Sequence, residues 1–460
     1  MSRDVRLRLS TLAAALVLAG CSMIPTYERP AAPVPQTFPL AADTPNQRSA
    51  ADTAWQDFVR NPQLRELIER ALANNRDLRV ATLNIERVRA QYQIARANQY
   101  PTVNAAAIGN RQGTNGGSIT STYSVGLAVS AWEIDFFGRL AALKEAALAD
   151  YLASEQARHA AQTSLISAVA SSWLSLQTNE ALLAITRETQ RSRDDSLRLT
   201  RLRFDNGAAS ALDLRQAESL AATARASLAQ QQRARALDAN ALTLLVGDSV
   251  PASLVQVADG DAAVLADVPA GLPSDLLTRR ADIRQAEQAL IAANANIGAA
   301  RAAFFPRISL TASVGTASTE LSGLFKDGSW GFTLNPQALL PIFDAGRNRA
   351  GLESAKVSRD IAVAQYEKAI QTAFREVADA LAGRATLGEQ LKALDDQVTA
   401  ESDRLRLAEL RYRNGVASFL DVLDAQRSLF TAQQSQAQIR LALQQNRVAL
   451  YAALGGGWTQ

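Results

Sequence analysis

An eleven-residue stretch occurs twice in the chain, at residues 203–213 and at 411–421, an offset of 208 residues. Each copy places an Asn-Gly pair, which tolerates a positive φ, between two long helical patterns. Ser210 and Ser418 then stand where the N-cap of the next helix is expected. Each copy is therefore predicted to be the tip of an antiparallel helical hairpin. Because the offset persists to the end of each return helix, we predict a duplicated half-molecule rather than a short-repeat solenoid.

The composition favours long helices, because the chain is rich in Ala, Leu, Arg, Gln and Glu and has little Gly or Pro outside a few short zones. Helical patterns predict two unusually long helices and four shorter ones, at 139–204 and 347–413, and at 62–98, 211–246, 275–303 and 419–454. Small and large apolar residues recur at heptad-like spacing, which favours side-by-side coiled-coil packing into a curved wall. A solid helical bundle is the simpler alternative.

The N-terminus is typical of an export signal that ends at a lone cysteine. A positively charged start precedes an apolar core at 12–18, which is too short to span a bilayer. Small residues precede Cys21 and resemble a bacterial lipobox, so we predict cleavage before Cys21 and acylation of its thiol. Cys21 is the only cysteine and has no disulfide partner, which favours this reading over an ordinary signal peptide. Ser22 follows it rather than Asp, as in lipoproteins sorted to the outer membrane.

Two segments, 102–132 and 307–336, change to strict alternation and are predicted to be strand pairs. One face carries Val, Leu, Ile, Phe and Trp, and the other carries Ser, Thr, Gly and Asn. Strands of about 8–10 residues suit the hydrocarbon depth of a bilayer, but an open sheet cannot lie in lipid. Membrane barrels need at least about eight strands, so two or three chains would have to pool theirs. An amphipathic sheet packed on helices in water is the alternative.

These patterns predict an α+β membrane protein with internal duplication, in which pooled strands form a β-barrel that a long α-helical coiled-coil barrel continues. The predicted order of segments is a signal peptide at 1–20, an extended lead segment at 21–61, a first repeat at 62–246, a linker at 247–274, a second repeat at 275–454 and a C-terminal tail at 455–460.

The net charge and the lack of catalytic or metal-ligating residue sets argue against several classes of function. The net charge is only +3 and no basic stripe with interleaved aromatic residues occurs, so nucleic acid is not an expected partner. The only histidine, His159, lies mid-helix among Ala and Gln and is expected at the surface. No Ser/His/Asp set, metal-ligating cluster or Gly-rich phosphate loop is evident, so we predict no enzymatic activity, no cofactor and no metal. Met1 and Met23 are the only methionines, which disfavours a path for soft metals.

Several marks, in order and largely duplicated, carry a family resemblance. They are Cys21-Ser22, the Ala-Arg-Ala entries that end in Pro101 and Pro306, Gly138-Arg139 with Gly346-Arg347, and the segments 411–415, 423–427 and 453–458. On these residues the chain resembles the TolC-like outer-membrane efflux channels, in the lipoprotein branch that serves resistance-nodulation-division multidrug pumps. The resemblance covers essentially the whole mature chain.

The resemblance implies a homotrimer in the cell outer membrane. Twelve strands would form one barrel, and the helices would form a tunnel across the periplasm. The lead segment, the 247–274 linker and the C-terminus would form an equatorial belt. The hairpin tips would meet a periplasmic adaptor protein joined to an inner-membrane proton-driven pump. The expected function is a passive exit duct for drugs and other small toxic compounds. A duct for protein secretion or metal efflux, or a structural coiled-coil envelope lipoprotein, remains an alternative.

The resemblance also implies roles for residues at the tips. Closed-gate contacts of the family correspond to Asp213, Tyr412, Leu420, Asp421, Asp424 and Arg427. The tips expected to contact the adaptor comprise Arg203, Asn206, Gly207, Arg411, Asn414 and Gly415. Ala417 stands where some relatives carry a linking arginine, so that particular link is absent or replaced in this chain.

The spacing of three of these residues suits a gate. Asp421, Asp424 and Arg427 recur every three residues and share one helix face. Within one chain an Asp424–Arg427 pair is worth only ~0.2–0.5 kcal/mol. Repeated around a threefold axis, cross-chain pairs would hold the tips together while Leu420 narrows the opening. A solvated helix face with ordinary ion pairs is the alternative.

Overall fold

The structure, a computed structural model, describes residues 22–39, 53–113, 116–117, 119–255, 264–268 and 273–458. The predicted signal peptide and the predicted lipidation of Cys21 lie outside the described residues, as does part of the predicted linker. The chain divides into two compact units. The first, called the sheet unit, comprises Met1–Ala31, Leu83–Glu155 and Gln285–Lys368, and the second, called the tip unit, comprises Ala32–Thr82, Gln156–Arg284 and Ala369–Gln460.

Nine α-helices lie in the described part of the chain. They are α1 (Trp55–Phe58), α2 (Pro62–Asn74), α3 (Arg76–Ala97), α4 (Arg139–Asp205), α5 (Ala211–Val246), α6 (Pro273–Arg279), α7 (Ala281–Ala302), α8 (Arg347–Arg413) and α9 (Phe419–Ala453). Helices α4 and α8 have 67 residues each, as the two long helical patterns predicted. None of the helices searched in these ranges has the length and apolarity needed to cross a membrane.

Two of the predicted helices are each broken at one residue. The prediction of one helix over 62–98 is wrong at Asn75, which is extended between α2 and α3. Its side-chain oxygen accepts a hydrogen bond from the Leu78 N–H (2.9 Å), and its amide donates to the Leu245 carbonyl (2.9 Å). In the second half, Arg280 separates α6 from α7 in the same way. Helical periodicity in the sequence continues through both positions, so the sequence did not predict the breaks. Side-chain contacts with residues distant in sequence stabilise the breaks.

The sheet unit contains one antiparallel sheet in the order β1-β2-β3-β4. The strands are β1 (Val103–Gly113), β2 (Ile119–Ile134), β3 (Arg307–Ser318) and β4 (Trp330–Leu339). Four strands per chain were predicted, and this number is confirmed. Strands β1, β2 and β3 have 11, 16 and 12 residues and are longer than the expected 8–10. The register of β2 against β3 shifts between Val129 and Trp132, where Ala131 has a φ of 47°. The bulge interrupts the alternation from which the end of the strand was predicted.

The register of the sheet separates two faces. Directly opposed residues form an apolar row of Ala105, Leu127, Val314 and Phe332, followed on the other face by a row of Ala106, Gly126, Gly315 and Gly331. On that second face the hydroxyls of Ser313 and Thr333 are hydrogen bonded across β3 and β4 (2.6 Å). The sheet is therefore amphipathic, and β1 and β4 are edges without a partner strand in the described chain.

The lead segment lies along α7 in the sheet unit and has no helix or strand over residues 22–39. The Met23 carbonyl accepts a hydrogen bond from Arg301 (3.3 Å), and the Pro25 carbonyl accepts one from Asn294 (2.8 Å). These partners lie about two helical turns apart, so the segment runs antiparallel to the helix, with its N-terminal end at the end of α7 that precedes β3.

Two further contacts set the register of the lead segment. A β-carbon at Gly298 would lie 2.7 Å from Ile24 Cγ1, so the segment lies against bare helix backbone there. Glu287 accepts two hydrogen bonds from the Arg29 guanidinium (2.7 and 3.0 Å) and one from the Tyr27 hydroxyl (3.1 Å). Apolar contact and paired charge thus hold successive residues in place.

In the tip unit, the end of the lead segment meets the linker and the C-terminal helix. The ring of Phe58 stacks on Tyr451 at a centroid distance of 4.0 Å. Val59 forms a β-bridge with Leu265 of the linker. The Tyr451 hydroxyl donates to the Thr53 carbonyl (2.7 Å). Three segments far apart in sequence therefore pack together around one pair of aromatic rings.

The C-terminal tail also packs onto α4 within the tip unit. The Thr163 hydroxyl donates to the Gly456 carbonyl (3.0 Å), and the Trp458 indole donates to the Arg279 carbonyl (3.1 Å). His159 lies against the Trp458 ring at 4.9 Å and is half-buried. The expectation of an ordinary surface histidine is therefore wrong, because its cover comes from the opposite end of the sequence.

Two glycines at helix ends give a matched test of packing against backbone strain. Gly207 (φ +72°) and Gly247 (φ +73°) have the same conformation, but a β-carbon at Gly247 would lie 2.6 Å from the Asn74 carbonyl oxygen, whereas one at Gly207 would meet nothing within 4 Å. We expect Gly207→Ala to lower the free energy of unfolding by about 1 kcal/mol. Gly247→Ala should lower it by about 2 kcal/mol or more, because a clash adds to the strain. Denaturant unfolding followed by circular dichroism measures both, and equal losses would contradict the packing at Gly247.

Candidate functional site

The two hairpin tips share one backbone geometry. At the first tip the Ala208 N–H donates to the Arg203 carbonyl (2.7 Å), and at the second the Val416 N–H donates to the Arg411 carbonyl (2.9 Å). Gly207 has a positive φ in the first tip, as Gly415 does in the second. This is the Schellman arrangement that ends a helix at a left-handed residue. The predicted use of Asn-Gly for a positive φ is confirmed at both tips.

The asparagines of the tips complete the same helix ends. The side-chain amide of Asn206 donates to the Leu202 carbonyl, and that of Asn414 donates to the Leu410 carbonyl, both at 2.7 Å. Each amide adds a second hydrogen bond to a carbonyl that also accepts from the backbone N–H of the same asparagine, at 3.2 Å in the first tip and 3.1 Å in the second. Asn206 and Asn414 therefore shape the tips whatever else they contact.

The serines and aspartates that follow form two capping boxes. The Ser210 hydroxyl accepts from the Asp213 N–H (3.1 Å), and the Asp213 carboxylate accepts from the Ser210 N–H (3.1 Å). Ser418 and Asp421 make the same exchange at the start of α9. The serine hydroxyl, and then its backbone N–H, hold the pKa of Asp213 below its ordinary value. Among the described residues of one chain, these carboxylates bind their own helix caps and pair with no arginine.

The two tips also touch each other within one chain. The guanidinium carbon of Arg203 lies 5.2 Å from the centroid of the Tyr412 ring, and its N–H contacts the Tyr412 hydroxyl. Tyr412 in turn lies 5.1 Å from the ring of Phe419, centroid to centroid. A cation over an exposed aromatic ring is worth about 0.5–1 kcal/mol. Arg203 was predicted to contact the adaptor and Tyr412 to belong to the gate. In the structure the two side chains are in direct contact.

Asp424 is held between two arginines near the second tip. Arg427, three residues along α9, contacts one carboxylate oxygen, as its spacing predicted. Arg404 of α8 donates to the other oxygen at 2.5 Å and also binds Glu401 (3.1 Å) and the Ser428 hydroxyl (3.2 Å). Asp424 thereby ties α8 to α9. Arg404 was not predicted, because its partner lies on the other helix of the hairpin and no local spacing links the two.

The predicted residues Leu420 and Arg411 face outward, together with neighbours that were not predicted. Leu420 is 51% exposed, and its counterpart in the first half, Leu212, is 68% exposed. Arg411 and Arg413 are exposed as well, and Arg413 pairs with Glu409 at 3.6 Å. Apolar side chains exposed on a tip are available to another chain. In the part of the chain that the structure describes, no cluster of three His, Cys, Asp or Glu residues could hold a metal ion.

Known proteins share both this sequence and this fold. The chain is 49% identical over 461 residues to the toluene efflux pump outer membrane protein TtgC of Pseudomonas putida, covering 98% of the chain and 95% of the relative. It shows the same identity and coverage to the antibiotic efflux pump outer membrane protein ArpC of Pseudomonas putida. The crystal structure of the open state of the Neisseria gonorrhoeae MtrE outer membrane channel superposes with a TM-score of 0.86 at 41% identity, covering 95% of this chain and 99% of that one.

A family model covers both halves of the chain. Residues 67–248 and 272–456 match the family described as outer membrane efflux protein. The two matched segments cover most of the chain, and the predicted family resemblance is confirmed. The chain therefore belongs to the outer membrane efflux protein family, and it is an outer-membrane component of an efflux pump.

Proposed function

We propose that three copies of this chain close a twelve-stranded barrel in the outer membrane and form a passive exit duct. The unpaired edges of the amphipathic sheet carry this proposal. Strands β1 and β4 run in opposite directions, because each strand is antiparallel to the next. The β4 edge of one copy can therefore pair antiparallel with the β1 edge of another. An open apolar sheet cannot lie in lipid with free edges, whereas a closed ring can.

The cargo we propose is small organic compounds of apolar or amphipathic character. Relatives are named for toluene and for antibiotic efflux, at 49% identity across almost the whole chain. The chain then acts as a duct without catalysing a reaction. A periplasmic adaptor would bind the tips, and a proton-driven pump of the inner membrane would supply the energy. The exposed arginines and leucines of the tips suit such a protein contact.

We further propose lipidation of Cys21. Ser22 and Met23 lie at the end of α7 next to the start of β3, because Arg301 binds the Met23 carbonyl one residue before α7 ends. A lipid on the preceding residue would start at the level where the sheet begins, which supports anchoring in the same membrane. Intact-mass analysis of the mature protein should show diacylglycerol and an acyl chain on Cys21. An unmodified cysteine would contradict the anchor and leave the barrel untouched.

The duct itself is tested by deletion and complementation. A strain lacking the gene should lose resistance to solvents and amphipathic antibiotics, and plasmid expression should restore it. Purified protein should migrate as a trimer and conduct ions in planar bilayers. A non-conducting trimer would favour the structural-lipoprotein alternative. Unchanged resistance with loss of a secreted protein would favour the secretion alternative.

We propose that Asp424 is the polar lock of the closed tip. Its carboxylate forms ion pairs with both Arg404 and Arg427. Replacing it leaves two neighbouring cations that repel each other without a counter-charge. We expect Asp424→Asn to raise single-channel conductance several-fold in planar bilayers, and the Asp424→Asn, Arg427→Gln double variant to conduct at least as well.

The matched control for this lock is Asp403→Asn. Asp403 is an exposed carboxylate of α8 that pairs with Arg406 of the same helix at 3.3 Å. Its conductance should equal that of the unaltered channel. If Asp424→Asn also conducts like the unaltered channel, Asp424 is not part of the gate.

A further inference from the structure

A cavity of about 350 Å³, open to solvent on one side, lies in the tip unit between α4, α8 and α9. Its apolar wall is formed by Ile185, Leu405, Leu429 and Phe430. Polar groups from α4 and α9 converge on the same space. An apolar pocket with a few convergent polar groups is the usual form of a small-molecule site.

Arg193 is the cation of this cavity. It is only 4% exposed, and its one hydrogen bond is a long contact with the Leu423 carbonyl (3.5 Å). Among the described residues, no carboxylate lies within ion-pairing distance of it. Burial, and then repulsion from Arg427, lower the pKa of Arg193 from its ordinary value, yet a guanidinium remains protonated at neutral pH. A buried charge without a counter-charge is costly, so an anion entering the cavity would relieve that cost.

Gln426 provides a second unmet group. Its amide nitrogen donates to the Ser192 hydroxyl at 3.2 Å, which leaves the side-chain oxygen to find its own donor. That oxygen is buried and has no hydrogen-bond donor. A ligand hydroxyl or N–H would satisfy it. The unmet acceptor is independent of the unmet cation, and both belong to residues that line the cavity.

Two carboxylates also line the cavity but are engaged elsewhere. Glu188 pairs with Arg191 at 3.2 Å, and Glu409 pairs with Arg413 at 3.6 Å. Both pairs are on exposed helix faces. Neither carboxylate neutralises Arg193.

We propose that this cavity binds an amphipathic organic carboxylate. The carboxylate pairs with the Arg193 guanidinium, the apolar body packs on Leu405, Leu429 and Phe430, and a ligand hydroxyl donates to Gln426. Such a ligand bridges the first hairpin, through α4, to the second, through α8 and α9. Asp424, Arg404 and Arg427 of the polar lock do not line this cavity.

The test uses the full-length protein in amphipol, because detergents are themselves amphipathic. The probe is 4-(4-hydroxyphenyl)butyrate, and its matched neutral control is the corresponding primary amide. Isothermal titration calorimetry should show one molecule of acid bound per chain, with at least tenfold weaker binding of the amide. Equal affinity for acid and amide, or no binding of the acid, would overturn the proposal without any variant being needed.

Variants assign the binding to the cavity. Arg193→Gln should weaken acid binding at least tenfold and leave amide binding unchanged. Arg193→Lys, which keeps the positive charge, should retain most of the affinity and guards against a folding defect. Arg198→Gln is the matched control, because it removes an exposed arginine of α4 that pairs with Asp195 (3.3 Å) outside the cavity, and it should bind the acid normally. Undiminished acid binding by a folded Arg193→Gln trimer would place the ligand elsewhere.

Discussion

Replacing Gly126 with alanine is expected to prevent β2 and β3 from pairing correctly. Gly126 and Gly315 are directly opposed in these strands. A β-carbon at Gly126 would overlap the Val314 carbonyl oxygen and lie 2.7 Å from the Gly315 α-carbon. Both obstacles are backbone atoms of the neighbouring strand and cannot rotate away. We expect a loss of about 3 kcal/mol per chain, which three copies would multiply in a shared barrel.

Gly331→Ala is the matched control for this prediction. Gly331 lies in the same cross-strand row, opposite Gly315 on β4, but within one chain a β-carbon there would meet nothing within 4 Å. Its effect should lie within about 0.5 kcal/mol. Heat-modified gel mobility and urea unfolding of the purified protein measure both variants. Trimers of Gly126→Ala as heat-resistant as those of Gly331→Ala would show that this close approach does not limit the sheet.

Replacing Arg280 with methionine is expected to weaken the tip unit by about 2–3 kcal/mol. Arg280 fills the break between α6 and α7 and is almost fully buried. Its guanidinium binds Asp282 (2.6 and 3.0 Å), Glu376 of α8 (2.7 Å) and the Ala453 carbonyl at the end of α9 (3.0 Å). Removing it leaves three acceptors without their donor. Breaking a buried ion pair costs about 3–5 kcal/mol, but Asp282 and Glu376 are about 40% exposed and regain water.

The control for Arg280 is Arg70→Met, which makes the same chemical change in an exposed pair. Arg70 binds Glu66 at 2.7 Å one helical turn away on α2. Such pairs contribute about 0.5 kcal/mol. Urea unfolding followed by circular dichroism should separate the two variants by about 2 kcal/mol. Similar midpoints and slopes would mean that α6, α8 and α9 do not depend on Arg280.

The tips illustrate how far the sequence carries a candidate site. Positive φ at Gly207 and Gly415, the caps at Ser210 and Ser418, and the Asp424–Arg427 pair all depend on residues a few positions apart. Their geometry was therefore predictable from spacing. Arg404 and the Arg203–Tyr412 contact were not, because they join helices whose alignment depends on packing along their whole length.

The helix breaks and the strand bulge show the same limit. Asn75 and Arg280 interrupt patterns that remain helical in sequence. Their side chains bind groups on helices distant in sequence, the Leu245 carbonyl and Glu376. The bulge near Ala131 interrupts the alternation of apolar and polar residues from which the end of β2 was predicted. His159 acquires a cover only when the C-terminal tail packs on α4.

By itself the sequence determined the duplicated hairpins, the two strand pairs, the long helices and the family, because each is encoded by short-range periodicity, turn chemistry or ordered motifs. The tertiary structure alone decided which charges meet, where helices break, which histidine face is covered and which arginine lacks a partner. Those outcomes depend on contacts between residues that are tens to hundreds of positions apart, and only packing brings such residues together.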